Sequence, residues 1–346
     1  MYKTNGSEQV VKFLKASQLG VQKAIARDRI NSLRSIDKSL VRSKLTASGL
    51  PTIIPSRDRK LIMGGSAPVI RFWLTLFSIY RVIDIFGELK IQTIVSPSTA
   101  KPELFSSVVR EYSALLKQSS LVSMFDTSLL FRKANILLLE TASATQKVSW
   151  SGLLSDPAIL WDKGLYAYAR NILNSLGQTD LVILLDSFRE LFPYTPATPG
   201  TGETVYSHAR VLNPEGEFAG KLSIKKEAAG KLRVFAMVTV WDQMVLKPIH
   251  NMLFAFLKSL PNDGTFDQHA SEKRAREKAL RAGRSYGYDL SAATDRLPIG
   301  IQSILLNLLV PDLGDNWALL LTRRDYYMYI PKELYNSLGI PTSKLC

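Results

Sequence analysis

The sequence predicts an α+β protein that is mostly helical. Three observations carry that reading. Apolar residues recur at helical intervals over several long stretches. One segment, 221–240, mixes cations with β-branched and apolar residues as paired strands do. Clusters of Pro and Gly punctuate the chain between these stretches. With 346 residues, 46% hydrophobic and 21% charged, the chain can bury a core, which excludes disorder as a whole. Its length suits two domains or one large one.

The elements follow in order. Residues 8–47 read as helical, with Val11, Leu14, Leu19 and Ile25 spaced for one face. Gly49 to Ser56 holds two prolines and breaks the pattern. Helix signals return at 67–88 and, after Pro97 and Pro102, at 103–118 and 164–192. Three prolines and two glycines between Pro193 and Gly202 can continue neither a helix nor a central strand, so a boundary is placed there. Two strands joined at Ala229-Gly230-Lys231 come next. Trp241–Leu260 is a helix, Pro261-Asn262-Asp263-Gly264 a turn, and Glu272–Ala282 a charged helix stopped by Gly283. Tyr286–Leu290 reads as a buried strand bearing Asp289 near its end, and 299–309 as a further helix. Boundaries are expected near 60, 192, 220 and 283.

Charge is uneven. Residues 1–60 carry 13 Lys/Arg against 4 Asp/Glu, 13 − 4 = +9 of the total +14. Such a segment points to polyanions, or is simply a solvated helix face. Its acid-poor start, with Lys3, Lys12, Lys15, Lys23 and Arg27 against Glu8, fits a mitochondrial presequence or an ordinary basic helix. The apolar run 67–86 is interrupted by Arg71, Arg81 and Asp84, leaving too short an uncharged stretch for a membrane span. It reads as a buried helix that donates two cations. A single cysteine, Cys346, rules out an intramolecular disulfide or Cys-based zinc site in these residues, and three scattered histidines argue against a His-rich one.

Two constellations could carry chemistry. Asp289-Leu290-Ser291-Ala292-Ala293-Thr294-Asp295 sets two short carboxylates around small residues, which suits Mg²⁺-assisted phosphoryl chemistry. The plainer account is helix capping by Thr294 or Asp295 before Pro298. The second is Lys225, Lys226, Lys231 and Arg233 on the strand pair. Lys231 and Arg233 share a face and could grip a triphosphate, or could protect a sheet edge. Gly216–Leu222 only imitates a P-loop, because its glycines enclose three residues and Leu222 stands where a hydroxyl is needed. Gly314-Asp315-Asn316 imitates a polymerase turn but reads as an interhelix turn. No Gly-x-Ser-x-Gly elbow supports a serine hydrolase.

Taken together, the blocks resemble the RNA-dependent RNA polymerase of mitoviruses, small RNA viruses that replicate in mitochondria. Glu227–Met237 is similar to that family's motif F, and Asp289–Pro298 to its motif A. Trp241-Asp242-Gln243, Leu246–His250, Pro261–Gln268 and Arg71–Thr75 fit the intervening and N-terminal blocks. The resemblance implies right-hand polymerase fingers with a partial palm. Residues 1–60 would be a basic N-terminal segment, 61–192 a helical fingers region, 193–220 a connection, 221–283 fingers with motif F and 284–346 partial palm with motif A. It implies Asp289 as the catalytic residue holding Mg²⁺ (or Mn²⁺), and Asp295 beside the incoming ribose. Lys231 and Arg233 would meet the triphosphate, with Lys225 and Lys226 as weaker contacts. RNA template and ribonucleoside triphosphates are the implied partners, in mitochondria, with no protein partner. The family's Ser-Ser motif B and Gly-Asp-Asp motif C are not among the 51 residues after Asp295. The expectation is therefore a truncated, inactive polymerase, either a partial viral sequence or a copy in a host genome such as a plant mitochondrial one. Its palm strand would lack neighbours and be poorly stable. The alternatives are a non-catalytic RNA-binding remnant and a functionless pseudogene product.

Overall fold

The computed structural model describes residues 2–40, 44–85, 87, 89–97, 102–118, 122–191, 218–290, 292–331 and 334. The Pro/Gly-rich boundary placed at 193–202 lies outside them. The chain forms two compact units, Met1–Lys90 with Ile224–Val234 and Ile330–Cys346, and Ile91–Ser223 with Phe235–Tyr329.

In the first unit, α1 (Tyr2–Ile25) is kinked at Gly6, where φ is +75°. The helix expected to reach 47 stops at 25. Arg27 turns left-handed and the Asp28 N–H returns to the Lys23 carbonyl, which closes the helix end. The described residues from there to 47 form no further α-helix, only turns and a 3₁₀ turn at Leu33–Ser35. α2 (Ser56–Met63) and α3 (Ala67–Phe77) follow, the latter running into a 3₁₀ turn, Ser78–Arg81. The long helix expected to 88 is therefore shorter, and buried on one face only. Trp73, Phe77 and Tyr80 point inward, while Phe72, Ile79 and Val82 are exposed. Trp73 and Phe77 join Val21, Ala24, Leu50, Ile54 and Ile62 in the core. The Trp73 indole N–H donates to Asp58 at 2.9 Å, so the buried ring keeps its polar atom satisfied.

In the second unit, α4 (Gln92–Val95), α5 (Pro102–Gln118) and α6 (Asp156–Asp162) precede α7 (Tyr166–Ser175) and α8 (Thr179–Leu191). The helix expected over 164–192 is this pair, split at Gly177, which adopts φ +65°. α9 (Val240–Ser259) starts with a capping box in which the Thr239 hydroxyl accepts from the Asp242 N–H and the Asp242 carboxylate accepts from the Thr239 N–H. Its Trp241, Met244, Val245, Ile249 and Met252 lie at helical spacing in the unit's core, against Leu160, Ile172, Leu173 and Leu185. α10 (Gln268–Ala282) runs from an Asp267 cap to left-handed Gly283.

α11 (Ala293–Arg296), α12 (Ile299–Leu309) and α13 (Leu313–Thr322) complete the helices of this unit's described residues. Pro298 stands at the N-cap of α12 with no side-chain cap bond, so the capping account of Thr294 or Asp295 does not hold for that helix. Gly314-Asp315-Asn316 is not the turn between helices but the first turn of α13. A Cβ at Gly314 would stand 1.9 Å from the Ser303 carbonyl oxygen, so glycine permits the close approach of α12 and α13.

The sheet has three strands in the order β2-β1-β3: β1 (Gly220–Lys226), β2 (Leu232–Met237) and β3 (Tyr326–Met328). β1 and β3 are parallel, pairing Gly220 with Tyr326 and Leu222 with Met328. The strand expected at Tyr286–Leu290 does not form. That segment is irregular and exposed, Tyr288 at 92% and Leu290 at 77%. A strand buries its side chains only when a neighbour satisfies its backbone, and β3 rather than 286–290 takes the free edge of β1. The protein is thus α+β and mostly helical, with a small sheet.

Candidate nucleotide site

The tip of the β1–β2 hairpin carries the predicted cations. Ala229 and Gly230 are both left-handed, with φ +60° and +68°, and the Glu227 N–H donates to the Lys231 carbonyl at 2.7 Å. Two such residues reverse the chain tightly. Glycine at 230 is required twice over, because a Cβ there would also lie 2.5 Å from Ile85 Cγ1. Gly87 faces the same turn, where a Cβ would reach 1.6 Å from the Gly230 carbonyl oxygen. The tip is therefore seated on Ile85 and Gly87 by close contacts that no larger residue at 87 or 230 allows.

The structure brings Lys231 and Arg233 together, as their spacing predicts. Both are exposed, and both face the Glu227 carboxylate, Arg233 Nε at 3.3 Å and Lys231 Nζ at 3.8 Å. Lys226 is ion-paired with Asp84, and Lys225 is exposed beside it. The tip thus presents two cations around one shared acid, Glu227, with Lys225 and Lys226 nearby in sequence. Exposed ion pairs of this kind hold weakly, so a polyanion can displace the carboxylate.

The two motif carboxylates are arranged differently from the expectation. Asp289 is exposed within the irregular 284–290 segment. Asp295, in α11, accepts a hydrogen bond from the Thr93 hydroxyl at 2.7 Å, and the neighbouring Arg296 donates to the Ser96 carbonyl. Among the described residues no three His, Cys, Asp or Glu side chains gather as metal ligands.

Sequence reasoning missed a buried polar cluster at the start of α9. Asp242 and Arg324 form a fully buried pair, and Arg324 also donates to the carbonyls of Ala219 and Leu320. Burial opposes the guanidinium's charge, but the facing Asp242 carboxylate raises its pKa overall. Asp156, also fully buried, accepts from the Thr145 hydroxyl at 2.7 Å and the Val240 N–H at 3.1 Å. Desolvation pushes its pKa up to about 7, with the Asp242 charge adding to the rise. The Thr239-x-x-Asp242 spacing could have signalled the cap, but nothing in the sequence pairs Asp242 with Arg324. His250, stacked on Phe254, is pushed below the ordinary histidine range by burial and by Lys247. Among the described residues no single helix is long and apolar enough to cross a membrane.

Residues 129–341 match the family described as Mitovirus RNA-dependent RNA polymerase. The match covers the hairpin and both motif carboxylates. The class is that of RNA-dependent RNA polymerases. More narrowly, the chain belongs to the mitovirus RNA-dependent RNA polymerase family. It is similar to the RNA-directed RNA polymerase of Cryphonectria parasitica mitovirus 1 (strain American chestnut tree/New Jersey/NB631), with 39% identity over 104 residues. That stretch is 30% of this chain and 13% of the relative's length. No solved structure matches the chain.

Proposed function

We propose that this chain is the nucleotide-gripping part of an RNA-dependent RNA polymerase, with the β1–β2 tip as the contact for the triphosphate of an incoming ribonucleotide. The observation that carries the reading is the seated tip with Lys231 and Arg233 converging on one exposed side within the family-matched block. Arg233 offers a planar fork of donors and Lys231 a point charge, the combination that suits phosphate oxygens. Lys225 and Lys226 extend the positive field. The polymerase fingers and palm, RNA as template and a mitochondrial setting belong to this reading through the family.

The motif roles of Asp289 and Asp295 belong to it too, as the metal-side and ribose-side carboxylates. The described residues hold no group of three such ligands, so no reaction step is drawn through a metal ion. The same exposed cations serve a second reading, RNA and nucleotide binding without catalysis.

A photoreactive azido-ATP distinguishes the site. After irradiation and peptide mapping, the label is expected within residues 225–233 and is competed by unlabelled ATP but not by adenosine. Labelling only outside this segment would overturn the assignment.

A further inference from the structure

The basic first unit contains a cavity of about 280 Å³ lined by Lys12, Lys15, Gln18 and Gln22 of α1, by Asp37 and by Tyr80. The α1 residues recur at three- and four-residue intervals, so one helix face supplies two cations and two amides. Its size lies just below the ligand-cavity range, which starts at about 300 Å³, so it suits a single base rather than a duplex.

Each lining group has a distinct chemistry. Lys15 is exposed at the mouth. Lys12 pairs with exposed Glu8 at 2.5 Å, a surface bond that phosphate can replace. Asp37 accepts both the Ser39 hydroxyl, at 2.6 Å, and the Ser39 N–H, at 2.9 Å, on its Oδ1. Those bonds, the hydroxyl's first, hold the carboxyl below its ordinary pKa, and Lys12 and Lys15 add to the effect. Asp37 is therefore an ionised acceptor facing two cations across a small cavity. Gln18 donates to the Leu74 carbonyl, which fixes its amide in place. Tyr80, largely buried, forms part of the cavity wall, with the Arg81 guanidinium 5.8 Å from its ring centroid.

We infer that this cavity holds one unpaired guanosine of RNA, with the base edge on Asp37 and the adjoining phosphates on Lys12 and Lys15. Guanine alone among the four bases presents two adjacent N–H donors on its pairing edge, and Oδ2 of Asp37, the oxygen that Ser39 does not use, can accept them. Single-stranded RNA is read through such base edges. The inference rests on the proposed RNA-handling function but concerns a different site from the hairpin.

The test uses two 5′-labelled RNA hexamers, AAGAAA and AAAAAA, and fluorescence anisotropy over a salt series. The wild-type chain is expected to prefer the guanosine hexamer by roughly tenfold. D37N should abolish the preference while keeping affinity for AAAAAA. Lys15→Ala should weaken both hexamers and lower the salt slope by about one. The double variant Lys231→Ala/Arg233→Ala should leave the preference intact. Unaltered melting curves confirm that the variants fold, and a destabilised D37N is replaced by D37E, which should keep the preference. Equal binding of the two hexamers overturns the guanosine site and leaves the triphosphate proposal standing. No binding of either hexamer, with azido-ATP still labelling 225–233, does the same. Loss of both hexamer binding and labelling overturns the proposed function as well.

Discussion

Asp242 receives both arms of the Arg324 guanidinium, each at 2.7 Å, with both side chains wholly buried. The pair joins the first turn of α9 to the chain just after α13, and the same carboxylate closes the capping box of α9. Removing one partner leaves the other charged and unsatisfied inside the unit. D242N is expected to destabilise the protein by about 3–5 kcal/mol. A urea-unfolding midpoint compared with wild type checks this, and an unchanged midpoint would show that the pair is not buried in solution.

Asp156 makes stability depend on pH. Its folded pKa, about 7, lies above the 3.8 of an unperturbed carboxyl, so the folded state holds the proton more tightly than the unfolded one. A group raised in this way contributes stability fully below the unfolded pKa, and that contribution is lost as pH rises through the folded value. The Asp156 contribution should therefore fall between about pH 4 and pH 7. Urea midpoints at pH 5 and pH 8 should differ less in D156N than in wild type.

Glu227 competes with any anion for Lys231 and Arg233. E227Q keeps the shape of the turn and removes the competing charge. It should bind ribonucleoside triphosphate more tightly than wild type by roughly two- to fivefold, the size of a weak surface pair. Isothermal titration with ATP reads the change, and weaker binding would mean that Glu227 positions the cations rather than blocks them.

Gly230 meets Ile85 and Gly87 at the tip. G230A meets both a left-handed backbone and Ile85, and should cost about 1–3 kcal/mol in stability. Its effect on ATP affinity should exceed that of an alanine at exposed Lys225, because the whole tip moves. Thermal melting together with ATP titration of the two variants separates these effects.

Much of this organisation was legible in the sequence, for local reasons. The helix at 299–309, the stop at Gly283 and the 229–231 turn depend on apolar period, a left-handed glycine and a short reversal, all written within a few residues. The shared face of Lys231 and Arg233 follows from strand alternation alone. What was illegible depends on distant partners. Tyr286–Leu290 has the composition of a buried strand, but pairing decides whether a strand exists, and β1 pairs with Tyr326–Met328 instead. Asp242 and Arg324 are 82 residues apart, so their bond left no local trace. The early end of α1 depends on Arg27 adopting a left-handed backbone, which its side chain does not announce.

The central claim is that Lys231 and Arg233 hold the phosphates of a ribonucleotide. Equilibrium titration of ATP, ADP and adenosine against wild type and Lys231→Ala/Arg233→Ala tests it most directly. Affinity should rise with phosphate number in the wild type, and the double variant should lose about tenfold or more for ATP while its weak adenosine binding stays unchanged. Equal ATP affinity in the two proteins, or no dependence on phosphate number in the wild type, would contradict it.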